Sequence, residues 1–217
     1  DFSHLKAALA GGMALQRAVA ERWQQVTGKP VIEAYGLTET SPAACINPMS
    51  NTEFNGSIGL PISSTEVSIR DEDGKELGIG AVGEICIRGP QVMAGYWNRP
   101  DETEKVMLEG GWFRSGDMGR MDERGYVFIE DRKKDMILVS GFNVYPNEVE
   151  SVAVMHPAVL EAAAVGVPDE RSGEIVKLFV VCREGQSVAE KELIDFCREQ
   201  LTGYKVPRLV EFRKELP

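Results

Sequence analysis

The stretch "EDRKKDMILVSGFNVYPNEVE", Glu130 to Glu150, sets three cations, Arg132, Lys133 and Lys134, between Asp131 and Asp135 in an otherwise acidic chain. An apolar run follows, then Ser140-Gly141, then Asn-Val-Tyr-Pro and acidic residues. Two readings compete. The cations form a solvated strand entrance with local ion pairs of small worth, or they mark a joint between two bodies. Likewise Ser140-Gly141 is a bulge or a functional turn.

The flanking textures favour a joint. From about residue 46 to 131 the chain reads as β-type, with short alternating runs between turn residues. "STEVSIRDEDGKEL" predicts a hairpin around Asp73-Gly74, and "GEICIRG" and "GYVFIED" predict strands. Upstream, "ALQRAVAERWQQVTG" predicts a helix with Leu15, Val19, Trp23 and Val26 on one face and Gly28 as its stop. "PVIEA" predicts a buried strand. Downstream, "MILVSG" predicts a strand, and Asn147 with Glu150 has N-cap and N3 spacing for a helix through about Met155. "LEAAAVGVP" and "EIVKLFVVCR" predict strands. Ser187 with Glu190 repeats the capping pattern before "KELIDFCREQL", which Gly203 ends, and "RLVEFRKEL" has strand character. The result is a small β-α-β-β-α-β, α+β domain after an α/β and β part. The expected division is residues 1–133, a hinge at Lys134, and residues 135–217.

Composition sets limits. The chain has 217 residues, 43% hydrophobic and 27% charged, with a net charge of −10. Residues 1–134 hold 15 basic and 20 acidic side chains, and residues 135–217 hold 9 and 14. No basic stripe of a nucleic-acid binder exists, so no nucleic-acid partner is expected. Cys45, Cys86, Cys182 and Cys197 form no CxxC pair, and His4 and His156 stand alone, which excludes a zinc site of the usual spacing. Free thiols suit a reducing cytoplasm. No run of about 18 apolar residues and no secretory leader is recognisable. A start at Asp1 without methionine raises the expectation of a processed or excised piece.

One motif misleads. "GIGAVG", Gly78–Gly83, spells a dinucleotide fingerprint but follows a turn and leads into a strand. A pyrophosphate site needs the reverse, a strand before and a helix after. No GxxxxGK[ST] loop occurs. "EAYGLTET" (33–40) is more informative: a buried strand ends in Tyr35-Gly36, with the Thr38 hydroxyl and the Glu39 carboxylate, a hard oxygen ligand suited to Mg²⁺. Its bland reading is a strand-to-loop turn. "GGWFRSGDMG" (110–119) places Asp117 beside a glycine, where a carboxylate could accept both hydrogen bonds of a ribose diol or close an Asx turn.

In order and spacing these segments resemble the adenylate-forming family, and specifically its long-chain fatty-acyl-CoA ligase branch. "YGLTE" (35–39), "GEICIRGPQVMAGYWNRPDET" (83–103), "GWFRSGDMG" (111–119), "DRKKDMILVSGFNVYPNEVE" (131–150) and "LTGYKVP" (201–207) carry the resemblance, which covers essentially the whole chain. Ser115 stands where the family usually has threonine. The resemblance implies the C-terminal part of a large AMP-binding domain, its last strand–helix unit plus a distorted β-barrel, followed by a small mobile α+β domain.

It also implies roles. Tyr35 would stack on adenine, with Gly11-Gly12-Met13, Glu33, Ala34 and Gly36 lining the pocket. Thr38 would touch the α-phosphate, Glu39 would bind Mg²⁺, Asp117 would hold the ribose with Arg132 near, and Lys134 would be the hinge. Ser140, Gly141 and Phe142 would line the CoA path. The implied activity is formation of acyl-AMP from a fatty acid and ATP, then transfer to CoA; peripheral membrane contact at the inner membrane face and a homodimer stay open. The family's phosphate loop lies upstream of Asp1 and its late Gly-Lys motif after Pro217, so these 217 residues alone are expected not to make acyl-AMP. Competing readings are an aryl-CoA ligase, a luciferase-like oxygenase, a peptide-synthetase adenylation domain, or a non-enzymatic binding module.

Overall fold

The computed structural model describes residues 1–13, 15, 17–51 and 53–216. Ala14 and Gln16, in the predicted first helix, and Pro217, the chain's last residue, lie outside them. Two compact units divide between Ile129 and Glu130.

The first unit opens with β1 (Ala8–Ala10), α1 (Arg17–Thr27) and β2 (Val31–Tyr35). The strands pair in parallel, Ala8 opposite Val31 and Ala10 opposite Glu33, the crossover geometry that a helix between strands imposes. Gly28, at φ +70°, stops α1 as expected. Among the expected stripe, Val19 and Val26 are exposed, while Ala20 is the buried residue of this helix. Two-residue strands β3 (Cys45–Ile46) and β4 (Leu60–Pro61) extend the sheet antiparallel.

A second sheet holds β5 (Glu66–Arg70), β6 (Gly83–Arg88), β7 (Met107–Leu108), β8 (Trp112–Met121) and β9 (Val127–Arg132) in the order β5-β6-β8-β7, with β9 on β8. It curls as a half-barrel around Ile69, Ile85, Ile87 and Val127, which pack with Tyr35, Ala44 and Cys45. The predicted hairpin turn forms at Asp71–Gly74, but its returning arm is a single bridge, Arg70 to Glu76, and β5 takes β6 as its partner. The five buried residues of "GEICI" explain that choice, since a fully buried run needs neighbours on both edges. A short helix, α2 (Pro100–Val106), interrupts the β texture. Its signals are proline at the first helical position and Asp101 and Glu102 in the first turn.

The second unit has β10 (Ile137–Val139), β11 (Phe142–Val144), α3 (Pro146–Ala153), β12 (Val159–Asp169), β13 (Gly173–Cys182), α4 (Glu190–Gln200) and β14 (Leu209–Arg213). The order is thus β-β-α-β-β-α-β, one strand more than predicted. The extra strand arises because Ser140 (φ 52°) and Gly141 (φ 83°) turn the chain back on itself, giving a two-residue hairpin rather than a bulge. The sheet runs β11-β10-β13-β12, with β14 added parallel to β13 after the α4 crossover. Val144, Val149, Val159, Leu178, Val180 and Leu193 form its core.

Both predicted capping pairs are displaced. Tyr145 caps α3 without a side-chain bond, because Pro146 fits the first helical position and pulls the start forward, and the helix closes at Ala153 rather than Met155. Glu150 instead accepts the Ala164 amide. Ala189 caps α4, leaving Ser187 outside the cap, and Glu190 accepts the Val210 amide. That helix ends at Gln200, and Gly203 begins a separate 3₁₀ turn.

Candidate functional site

In the first unit the predicted residues gather at the carboxyl end of β2. Gly11 follows β1 so closely to β2 that an added Cβ would lie 2.9 Å from the Ala34 carbonyl oxygen. Gly12 takes φ +90°, and Met13 is fully open. Glu33 is half-buried, and the loss of hydration pushes its carboxyl up to about 7. At Gly36 a Cβ would stand 1.7 Å from the Pro42 carbonyl oxygen, so only glycine lets the loop fold back there.

Tyr35 ends the strand, and its hydroxyl donates to Asp117 Oδ2 at 2.6 Å. This bond joins β2 to β8 across 82 residues, with the side chains 8% and 4% exposed. Burial, and next the Asp117 charge, push the phenol well above the usual tyrosine range, so Tyr35 stays a donor. The Asp117 amide donates to Ser115 Oγ at 3.0 Å, the hydroxyl that threonine would also supply. The preceding loop is fixed by Glu84, which accepts from Arg114 at 2.7 Å and from the Gly116 amide at 3.1 Å. Arg114 also donates to the Glu72 carbonyl.

Thr38 and Glu39 sit in a 3₁₀ turn, Thr38–Thr40. The buried Thr40 hydroxyl closes that turn, accepting from the Leu37 amide and lying 3.0 Å from the Leu37 carbonyl oxygen. Glu39 is tied twice to the segment before α2: its carbonyl accepts the Met93 amide at 2.8 Å, and its Oε1 accepts the Tyr96 hydroxyl at 2.8 Å. Desolvation, then Glu39, push Tyr96 up to about 12. Tyr96 was not singled out from the sequence, although "GYWN" was among the family-like segments.

In the second unit Asp131 is 5% exposed and accepts the Arg132 amide at 2.7 Å and the Asn147 amide at 2.8 Å. The Asn147 side chain donates to the Glu130 carbonyl at 3.3 Å. Asp131 therefore supplies from a distance the cap that α3 lacks locally. Lys134 lies in the 3₁₀ turn Lys133–Asp135. Phe142, largely exposed, stacks on Tyr204 with centroids 4.9 Å apart and planes 24° apart. Lys205 donates to both oxygens of Glu148, at 2.8 and 2.7 Å. "LTGYKVP" thus braces the β11–α3 corner that carries Phe142.

The chain is similar to known proteins. AMP-binding enzymes match residues 1–97, and the C-terminal domain of AMP-binding enzymes matches residues 148–217. A long-chain-fatty-acid–CoA ligase of Escherichia coli O157:H7 is 56% identical over all 217 residues, which span 38% of its length. The ATP-bound crystal structure of MatB from Rhodopseudomonas palustris superposes with a TM-score of 0.93 at 37% identity, over 97% of this chain and 42% of that one. The o-succinylbenzoate CoA synthetase of Bacillus subtilis, solved with its acyl-adenylate, gives 0.89 at 35% identity, over 99% of this chain and 44% of that one.

Proposed function

For a chain that belongs to the family of AMP-binding enzymes, we propose that the whole protein is an AMP-forming long-chain fatty-acid–CoA ligase of the cytoplasm. The observation that carries the substrate class is 56% identity, over every residue, to proteins named for that reaction. The four free cysteines fit a reducing compartment.

In this reading Tyr35 offers its ring face to adenine, with Gly11, Gly12, Met13, Glu33, Ala34 and Gly36 as the pocket wall. Asp117, held by Tyr35 and Ser115, offers its carboxylate to the ribose hydroxyls. Thr38 donates to the α-phosphate. Among the described residues no three His, Cys, Asp or Glu converge into a metal cage. A lone carboxylate at Glu39 suits Mg²⁺, which is commonly held by one or two carboxylates, waters and substrate phosphates. When bound, Mg²⁺ would neutralise charge on the phosphates. The fatty carboxylate attacks the α-phosphorus, pyrophosphate leaves, and the CoA thiol then attacks the acyl carbonyl and releases AMP. These residues serve chiefly to position and to stabilise charge.

Lys134 is the proposed hinge between residues 1–133 and 135–217, and Ser140, Gly141 and Phe142 the proposed wall of the CoA path. The two half-reactions need different groups around one intermediate, which a moving domain supplies in turn. Among the described residues no helix is long and apolar enough to cross a membrane.

Pyrophosphate release by the whole protein, screened with fatty, aryl and amino acids with and without CoA, tests the reading. Release driven by long-chain fatty acids supports it. Release driven only by aryl or amino acids replaces the substrate, and no release from any acid removes the activity.

A further inference from the structure

We propose that Tyr96 is a positioning residue for the metal-binding carboxylate of Glu39. The proposal rests on the reading of Glu39 as the Mg²⁺ ligand. A glutamate on a surface turn has three side-chain torsions and samples many orientations. Here one oxygen, Oε1, is held by the Tyr96 hydroxyl at 2.8 Å, which leaves Oε2 to face a cation. The main chain is fastened to the same segment, since Met93 donates its amide to the Glu39 carbonyl at 2.8 Å.

Tyr96 is itself fixed from the other side. Its amide donates to Thr103 Oγ1 at 2.9 Å, and that hydroxyl donates to the Arg99 carbonyl at 2.9 Å. Gly95, at φ +151°, brings the strand of chain so near α2 that an added Cβ would lie 2.8 Å from Thr103 Cγ2. The first turn of α2 therefore sets where the phenol stands, and the phenol sets where the carboxylate points. Both partners are exposed enough for water to replace the bond, so its contribution to stability is small. Its effect falls on orientation, the way outer partners of metal ligands commonly act.

The test uses the whole protein with a non-hydrolysable ATP analogue and Mn²⁺ as a paramagnetic stand-in, read by water-proton relaxation. Tyr96→Phe keeps the ring and its packing. It is expected to weaken Mn²⁺ binding about tenfold, while leaving analogue affinity in chelator and the unfolding midpoint unchanged. A merely structural defect would lower all three together and would overturn the proposal. Unchanged Mn²⁺ affinity in Tyr96→Phe, with Glu39→Gln weakened, would also overturn it and leave Glu39 as the ligand. Unchanged affinity in both variants would instead remove the reading of Glu39 and the proposal with it.

Discussion

Tyr35 and Asp117, 82 residues apart, share a 2.6 Å hydrogen bond between side chains that are each more than nine-tenths buried. Deleting the hydroxyl leaves a buried carboxylate short of one donor, which costs more than the net worth of an ordinary hydrogen bond. Tyr35→Phe is expected to lower stability by about 1.5–3 kcal/mol. Urea unfolding of this chain checks it, and a loss below about 0.5 kcal/mol would show that the bond is dispensable.

Glu33 makes stability depend on pH in a defined sense. Burial pushes its folded carboxyl up to about 7, above the ordinary glutamate value of 4.5, so the folded state binds more protons between those limits. Its contribution is present below about pH 4.5 and is lost as pH rises through 7. Glu33→Gln removes that slope. Subtracting unfolding midpoints of the two proteins should give a difference that grows in favour of the variant from pH 4.5 to 7.5; a flat difference would contradict the assignment.

Asp131→Ala removes the acceptor for the Arg132 and Asn147 amides and uncaps α3. A loss of about 1–2 kcal/mol is expected, with faster amide exchange confined first to the α3 N-terminus. Unchanged exchange at Asn147 would mean that another group caps the helix.

Proline at position 134 would hold φ near −65° and remove an amide donor. If Lys134 is the hinge, Lys134→Pro in the whole protein slows one half-reaction far more than the other. Equal slowing of acyl-AMP formation and thioester formation would make position 134 structural only.

Long elements with one strong period were legible: β2, β6, β12 and β13 follow from their apolar runs, and Gly28 ends α1. What escaped is what contacts distant in sequence decide. Asn147 and Glu150 have perfect capping spacing, yet Pro146 takes the first helical position and Asp131 supplies the cap from 16 residues away. The arm after Gly74 looked like half of a hairpin, but the more apolar β6 won the pairing. At the site, Tyr35 and Asp117 each stand in a recognisable motif, whereas their mutual bond depends on the packing of two sheets. Tyr96 stayed unnoticed because nothing local distinguishes a tyrosine that reaches back 57 residues to a carboxylate from one on the surface.

The most direct measurement is the product ratio formed by the whole protein from palmitate, ATP and CoA, read by mass spectrometry. Palmitoyl-CoA and AMP are expected in equal amounts, with pyrophosphate, and acyl-AMP as the species left when CoA is withheld. Formation of ADP and phosphate instead of AMP, or no thioester from any fatty acid, would contradict it.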